Sequence, residues 1–535
     1  MNPDWLLKHF EQISEAPDAV ARLRRFILDL AVRGKLVEQN PDDELAAEVL
    51  KRIQANGDHG SNDGERKNQN LLPTIETGEI AFKIPENWVL TRVGKLLDIQ
   101  YGKALPAADR SVQGSVAVYG SNGVVGYCEA TLAQEPAIII GRKGSAGALN
   151  LCDGPSWTTD VAYFLIPPAF FNIRFLFVAL QTLDLARLGK GVKPGLNRSE
   201  AYQLPIVVPP LAEQHRIVGK VDELMTLCDE LEVTQAKRER RRDRLVTATL
   251  HGLNNGDAIP ETGTRPTFEE SARFYFNHLP RLTTRPEHIR QLRQTILNLA
   301  VRGKLVPQDP KDEPASELLK RIQAKKQKLI RGRGGSKGRA LVIIEDETPF
   351  EIPETWVWVQ STEPAALISD KGKKLQTKDV LESGEFPVVD QGKVFIRGYC
   401  NDAQKVIRVD GPIIVFGDHT RETKLIDFDF VVGADGVKLL KPIEIDPAYY
   451  FLALQWVPLD SRGYARHFKL LRASRFPLPP LAEQHRIVAK VEELMALCDK
   501  LEARITATAT NRRQLLEATL QETLKQPLHE VSYEN

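Results

Sequence analysis

The feature that most constrains this chain is that much of it is written twice. Residues 209–232, PPLAEQHRIVGKVDELMTLCDELE, return at 479–502 as PPLAEQHRIVAKVEELMALCDKLE, with four of 24 positions changed at an offset of 270. Upstream, ILDLAVRGKLV at 27–37 returns as ILNLAVRGKLV at 296–306, LKRIQA at 50–55 returns at 319–324, and IPENWV at 84–89 returns as IPETWV at 352–357. Two copies at such a period are too few and too long for a solenoid, so the chain is a tandem duplication of a domain-sized unit. Its 535 residues are compatible with three to four domains.

Divergence is concentrated between the repeated ends. Residues 90–208 and 358–478 share little beyond a weak echo, YGSNGVVGYC at 119–128 against VDQGKVFIRGYC at 389–400. Each copy is therefore a constant frame holding an individual insert. The frames read as helix: Ile217, Val221, Leu224, Cys228 and Leu231 alternate steps of four and three, with Val218, Met225 and Leu227 widening the stripe. The spacing predicts a helix over 211–250, stopped by Gly252 and Asn254–Asn255–Gly256, and a matching one over 481–520. Forty residues make roughly 60 Å at 1.5 Å per residue. Shorter helices are expected to begin at Pro17 and Pro286. The inserts read as short β-rich runs (AIIIG, VAYFLI, PIIVFG, DFVVGADGVKLL) punctuated by Gly, Pro and Asp. Polar stretches at 56–70, 254–266 and 331–339 read as linkers.

The order of the repeats carries a spatial consequence. The 211–250 helix is followed by the 286–324 helices, whereas the 481–520 helix has no such successor. Its missing partner is present at 17–55. Only a cyclic arrangement makes the two halves equivalent, so residues 17–55 are expected to pack against 481–520.

Charge and motifs exclude several functions. Basic and acidic residues nearly cancel, 72 against 71, so any polyanion site must be local. Five cysteines without a CxxC pair argue against a disulfide framework or zinc ribbon and fit a reducing cytosol. No stretch approaches 18 consecutive apolar residues, and the N-terminus lacks an apolar targeting core. A phosphate-binding G-x-x-x-x-G-K-[ST] loop, a Rossmann G-x-G-x-x-G and the [DNS]-P-P-[FYW] motif of amino-methyltransferases are all absent. A nuclease-like set built from Asp379 with Gln391–Gly392–Lys393 is disfavoured, because that stretch aligns with the glycine turn at Asn122–Gly123. His215 and His485 read as polar side chains positioned by the frame, and Cys228 and Cys498 as seam residues. No catalytic or metal-ligating residue is assigned.

Basic residues are instead concentrated locally. The loop GRKGSAG carries Arg142 and Lys143 among small residues that let backbone N–H groups approach a phosphate. The first insert ends with Arg187, Lys190, Lys193 and Arg198; the second ends with Arg462, Arg466, His467, Lys469, Arg472 and Arg475 in a stretch without an acid. Two unlike inserts keep positive charge just before the Pro-Pro that opens the repeated helix. That paired placement favours phosphate contact over an ordinary solvated face.

The twice-used PPLAEQHRIV helix, the twice-used LAVRGKLV with its following helix, and the IPE-x-WV strand entrance together resemble the specificity subunit of type I restriction–modification enzymes. GRKGSAG…WTTDVAYFL and FGDHTRE…DFDFVVGADGVKLL also look like segments of that family's target-recognition domains. The resemblance covers essentially the whole chain. It implies a mixed α/β (α+β) fold: two α/β target-recognition domains joined by two long antiparallel conserved helices, a pseudo-twofold tandem repeat. The expected divisions are an N-terminal helical region at 1–83, a recognition domain at 84–208, a central helical region at 209–351, a second recognition domain at 352–478 and a distal helical region at 479–535.

The resemblance further implies a DNA-reading subunit in the cytoplasm that catalyses nothing. Each recognition domain would read half of a split, asymmetric double-stranded target. The helical regions would set the spacing and dock two modification (methyltransferase) subunits, with restriction subunits joining them. S-adenosylmethionine, ATP and magnesium would sit on those partners, none on this chain. Bases are read by Arg to guanine, Asn or Gln to adenine, and Asp or Glu to cytosine. Candidate readers are Ser121, Asn122, Arg142, Lys143 and Ser145 in the first insert, and Asp418, His419, Thr420 and Arg421 in the second; a turn cap is the competing reading for Asp418 and Thr420. Candidate phosphate contacts are Lys190, Lys193, Arg198, Arg462, Arg466, Lys469 and Arg472. A stand-alone DNA-binding regulator with duplicated readers is the alternative, although it would not need a large repeated docking helix.

Overall fold

A computed structural model of the chain describes residues 15–16, 18–56, 72–73, 75, 79–80, 82–191, 195–255, 267–332, 348–433, 436–460 and 465–525. The linker stretches at 57–70, 256–266 and 333–339 lie outside the described residues, as do Pro17, Lys193 and Arg462. No helix among the described residues is long and apolar enough to cross a membrane. The chain divides into two compact units, one made of Met1–Arg238 with Thr508–Asn535, the other of Glu239–Ala507.

In the first unit the insert is closed at its base by an antiparallel ribbon, Val89–Arg92 on Pro205–Val208, in which Val89 faces Val208. The insert's two ends are therefore neighbours. Above the ribbon is a four-stranded antiparallel sheet in the order Gln100–Tyr101, Ala162–Leu165, Ala137–Gly141, Leu149–Cys152. Beside it lies a three-stranded sheet, Gly123–Cys128, Val116–Gly120, Ser156–Thr158, whose last pair is parallel. The run AIIIG is apolar throughout because Ala137–Gly141 is covered on both faces. Ile138 and Ile140 enter the main core with the helix Ile173–Thr182, while Ala137 and Ile139 face a second cluster with Phe164.

The second unit repeats this topology from a dissimilar sequence. Val357–Gln360 pairs with Arg475–Leu478 as the basal ribbon. The four-stranded sheet runs Ala365–Ile368, Val437–Pro442, Ile413–Gly417, Thr423–Ile426. The neighbouring sheet again holds an antiparallel pair, Phe386–Val389 with Gly398–Cys400, and a parallel one, Phe386–Val389 with Phe430–Gly433. It gains the short strands Lys374–Leu375 and Val406–Ile407.

The two long helices run Leu211–Asn255 and Leu481–Lys525, 45 residues each. Both exceed the sequence expectation. Gly252 does not stop the first helix; a Cβ there would lie 2.7 Å from Ser271 Oγ, so glycine instead admits the helix Phe268–Leu282 at close range. Ile217, Val221 and Cys228 are buried along the seam as their spacing implies, but Leu227 is half exposed. The N-terminal helix starts at Ala19, after Asp18 in the left-handed region at φ 60°.

Within the first unit, the end of the second long helix takes the place of the missing successor. Leu516 and Leu520 pack on Ala16 and Ala19, Arg22 pairs with Glu517 at 3.3 Å, Arg512 pairs with Glu15 at 3.0 Å, and Lys35 Nζ donates to the Leu524 carbonyl at 2.5 Å. In the second unit the end of the first long helix uses its own successor: Val246 and Leu250 share a core with Ile289 and Leu292, and Arg285 pairs with Asp243. Residues 17–55 thus stand against the C-terminal helix, as the order of the repeats requires.

The repeated motifs turn out to be parts of one clamp. In VRGKLV, Gly34 has φ +66° and a Cβ on it would lie 2.4 Å from Pro85 Cγ; Gly303, at φ +68°, meets Pro353 Cγ at 2.5 Å. Only glycine fits that turn against the IPE-x-WV segment. That segment's Trp88 donates its indole N–H to the buried Glu213 carboxylate at 2.9 Å, and Gln39 donates to the other oxygen at 2.6 Å. The next residue, Gln214, accepts from Asn172 N at 2.8 Å and donates to the Phe170 and Pro209 carbonyls, both at 3.0 Å. Arg216 pairs with Asp43 at 2.6 Å. The second copy repeats the set: Trp356 and Gln308 on Glu483, Asp446 N on Gln484, and Arg486 on Asp312. The LAEQHR motif is therefore a socket fixing each insert, through its own backbone, to the start of a long helix.

Candidate nucleic-acid interface

In the first insert the turn between Val116–Gly120 and Gly123–Cys128 places Ser121 and Asn122 at a two-residue hairpin tip. The loop GRKGSAG leaves the central strand directly beside it: a Cβ on Gly141 would lie 2.4 Å from the Ser121 carbonyl, and one on Gly144 lies 3.9 Å from Ser121 Oγ. The terminal basic segment closes the third side. Leu196 N donates to the Arg142 carbonyl at 2.8 Å, Lys143 bridges to Gly195, and a Cβ on Gly147 would lie 2.4 Å from Ala186 N. Ser121, Asn122, Arg142, Lys143 and Ser145, scattered in sequence, are thereby gathered on one surface.

The cations there differ in how free they are. Arg142 donates to the Asp160 carbonyl at 2.8 Å and stacks over Tyr101 at 5.1 Å and Tyr163 at 5.8 Å. Arg198 donates to the Ile99 carbonyl at 2.9 Å and stacks on Tyr101 at 4.9 Å and Tyr202 at 5.6 Å. The half-exposed Tyr101 ring thus lies between two guanidinium groups and spends little of their hydrogen-bonding capacity. Tyr163 supports them from below, its hydroxyl donating to the Leu196 carbonyl at 3.0 Å; burial raises that hydroxyl's pKa. Lys190 is paired with Glu200 at 2.7 Å, whereas Asn122 and Lys143 project into solvent.

The second insert assembles the same three parts. The loop Asp390–Arg397 occupies the place of the hairpin tip, and the loop GDHTRE leaves the central strand Ile413–Gly417 against it. His419 N donates to Gln391 Oε1 at 3.2 Å, and the Thr420 hydroxyl donates to the Gln391 carbonyl. The basic segment again closes the set: His467 N donates to the Asp418 carbonyl at 2.7 Å and Arg421 to the Leu459 carbonyl at 2.7 Å. Arg421 is held at φ 65°. Arg466, Lys469 and Arg472 are exposed, the last two at i, i+3 on the short helix Phe468–Ala473.

One reader has to be withdrawn. Asp418 is 3% exposed and its carboxylate accepts from Phe468 N at 2.7 Å, so it fastens the basic segment and cannot meet a base edge in this conformation. The turn-cap reading fits Thr420 instead, whose hydroxyl accepts from Glu422 N at 3.3 Å. Thr420 is exposed but tied to Gln391. Tyr101 and Lys424 escaped the sequence reading, and Gln391 entered it only within the disfavoured nuclease-like set. Tyr101 stands far from its arginines in sequence and nothing near it marks it. Gln391 could have been found as the residue aligned with Asn122 before the glycine of the turn. Among the described residues, no cluster of His, Cys, Asp and Glu is arranged to hold a metal ion.

Comparison with known proteins agrees with this duplicated geometry. The family model for the type I restriction modification DNA specificity domain matches residues 85–239 and 353–511, one match over each insert with the start of its helix. The type I restriction enzyme EcoAI specificity subunit of Escherichia coli is 29% identical over 566 aligned positions, covering 93% of both chains. The EcoEI specificity subunit of the same organism is 26% identical, again over 93% of both. Among solved structures, the HsdS subunit from Thermoanaerobacter tengcongensis shares 16% identity, the match covering 84% of this chain and 99% of that one with a TM-score of 0.37.

Proposed function

This chain belongs to the type I restriction–modification specificity subunits, and on that premise we propose that it reads a bipartite, asymmetric double-stranded DNA target, one half per insert. The observation that carries the reading is the recurrence, in two inserts of different sequence, of one constellation: a tip, a loop after the central strand, and a basic segment behind both. Side chains on the tip and loop (Asn122, Arg142, Lys143, Gln391, His419, Arg421) meet base edges in the major groove. Arg466, Lys469 and Arg472 in the second insert, and Lys190 and Arg198 in the first, meet phosphates and set register. Each long helix begins in one unit and ends in the other, spanning roughly 68 Å at 1.5 Å per residue, about two DNA turns. In this reading the helices fix the separation of the half-sites and carry docking faces for two modification subunits, with restriction subunits joining the assembly in the cytoplasm. Methyl transfer, ATP use and magnesium binding belong to those partners, and the chain itself is not catalytic.

The test is reconstitution. The purified chain is expected to transfer no methyl group from S-adenosylmethionine to DNA and to bind DNA weakly; adding modification subunits should yield methylation at a split site, and the three should co-purify. Methyl transfer by the chain alone would overturn the assignment, and full sequence-selective binding without partners would favour the regulator.

The phosphate contacts have their own measurement. Arg466→Ala with Lys469→Ala is expected to weaken binding of the assembled complex to every sequence and to flatten log affinity against log salt by up to about two. Lys190→Ala should change the slope less, because Glu200 already neutralises that ammonium. An unchanged slope in the double variant would make the Phe468–Ala473 face a solvated one.

A further inference from the structure

A buried ammonium stands behind the second tip. Lys424, on the strand Thr423–Ile426, is 5% exposed. It donates to the carbonyls of Asp390 at 2.9 Å and Val394 at 2.6 Å, with that of Phe395 at 3.5 Å and Asp390 Oδ1 at 3.7 Å. All of these acceptors belong to the loop Asp390–Arg397, which matches the three donors and absent acceptor of an ammonium. A core that needed only filling would take Met or Leu here without desolvating a charge. Burial indeed lowers the pKa of Lys424, against the opposing pull of Asp390. The loop it gathers has little core of its own, since Val394 and Phe395 are exposed.

The same position exists in the first insert. Lys424 faces Val415 on the central strand, and Asn150 faces Ile139 on its counterpart. Asn150 Oδ1 lies 3.8 Å from where a Cβ on Gly123 would stand, so this side chain also sits under the tip. Its Nδ2 is buried with no hydrogen-bond partner among the described residues. The first tip is a short hairpin closed by its own ladder, Tyr119 on Val124 and Gly120 on Gly123, and can stand without an ammonium. The second lacks that ladder beyond Val388 and Gly398.

We propose that Lys424 is a positioning residue for base recognition: its ammonium ties the Asp390, Val394 and Phe395 carbonyls so that the loop presents Gln391, Val394 and Phe395 to the second half-site. An amide there suits adenine and an apolar side chain suits the thymine methyl. This rests on the DNA-reading function proposed above. Fixing the loop before binding removes ordering entropy that would otherwise oppose each base contact.

The experiment compares Lys424→Met and Lys424→Arg in the full chain, with Val394→Ala plus Phe395→Ala as a surface variant. Lys424→Met is expected to speed amide hydrogen exchange across 391–397 by about tenfold or more while leaving 121–127 unchanged. In the assembled complex it should cut discrimination against single-base changes in the second half-site by about tenfold, with first-half discrimination and salt slope intact; Lys424→Arg should restore part of both. Unchanged exchange and discrimination would overturn the proposal. So would protection lost across the whole unit with both half-sites damaged alike, which would make Lys424 an ordinary structural member. If exchange responds but neither Lys424→Met nor the surface variant alters discrimination, the loop does not read bases and its DNA-reading role falls. Should Lys424→Met fail to fold, the surface variant still decides: it must alter second-half discrimination alone.

Discussion

Replacing residues 90–208 with the insert of another specificity subunit is expected to change one half of the recognised DNA sequence and to leave the other half and the spacer as they were. The basal ribbon makes this exchange physically reasonable. Val89 faces Val208, so the two cut ends are adjacent, and part of the contact between the incoming domain and the frame is made by backbone groups. Asn172 N and the Phe170 carbonyl, both bound by Gln214, are backbone groups that an incoming insert also carries. Methylome sequencing of cells carrying the hybrid with its partner subunits reads the result. Both halves changing together would show that base choice is shared across the frame. Lengthening both long helices by one turn, where they pass between units at Arg238–Glu239 and Ala507–Thr508, should do the opposite. It adds about 5.4 Å per helix, altering the preferred spacer while each half-site stays readable.

The second large effect is on stability. Glu213→Ala is expected to lower the unfolding free energy of the first unit by about 3 kcal/mol, because the Trp88 indole N–H and the Gln39 amide would be buried without an acceptor. Glu213→Gln should cost less than about 1 kcal/mol, since the amide keeps one acceptor and Gln39 can exchange donor and acceptor ends. Burial raises the Glu213 pKa, with Trp88 and Gln39 opposing the rise. A folded-state pKa above the unfolded one means stability is full below the unfolded value and is lost as pH rises through the folded value. Glu213→Gln should remove that contribution to the slope. Glu483, in the same setting under Trp356 and Gln308, should behave identically in the second unit. Thermal unfolding of the variants across mildly acidic to neutral pH checks both; an innocuous Glu213→Ala would show that the clamp does not depend on its carboxylate.

The frame was legible because its repeats are long and its helices periodic. The heptad-like spacing located both long helices, and the position of the copies along the chain required residues 17–55 to meet the C-terminal helix. Their ends were less legible: Gly252 reads as a stop in isolation, yet it is a site of close approach by a helix whose arrival no local signal announces. The inserts were harder still. AIIIG and IIVFG could be read as strands buried on both faces, but nothing in their differing sequences announces that the two inserts share sheet orders, because topology depends on which strands pair and not on what each strand contains.

The candidate site shows the same division. Ser121, Asn122, Arg142 and Lys143 were legible as tip and loop residues because turns and basic loops have local signatures. Tyr101 and Lys424 were missed, and Gln391 was set aside with the nuclease-like set, because their roles are made by partners distant in the chain: Arg142 and Arg198 on one ring, His419 on one amide, three carbonyls on one ammonium. Asp418 was misread for the complementary reason, since an acid in a polar loop looks free until the Phe468 amide that binds it is in place. By itself, then, the sequence determined the duplication, the helical frame, the cyclic order and the family, all of which are written in local periodicity or in identity between copies. Tertiary structure alone decided which polar side chains face outward to read and which are consumed inside, because a hydrogen-bonding group's availability is set by whether burial and a long-range partner have already claimed it.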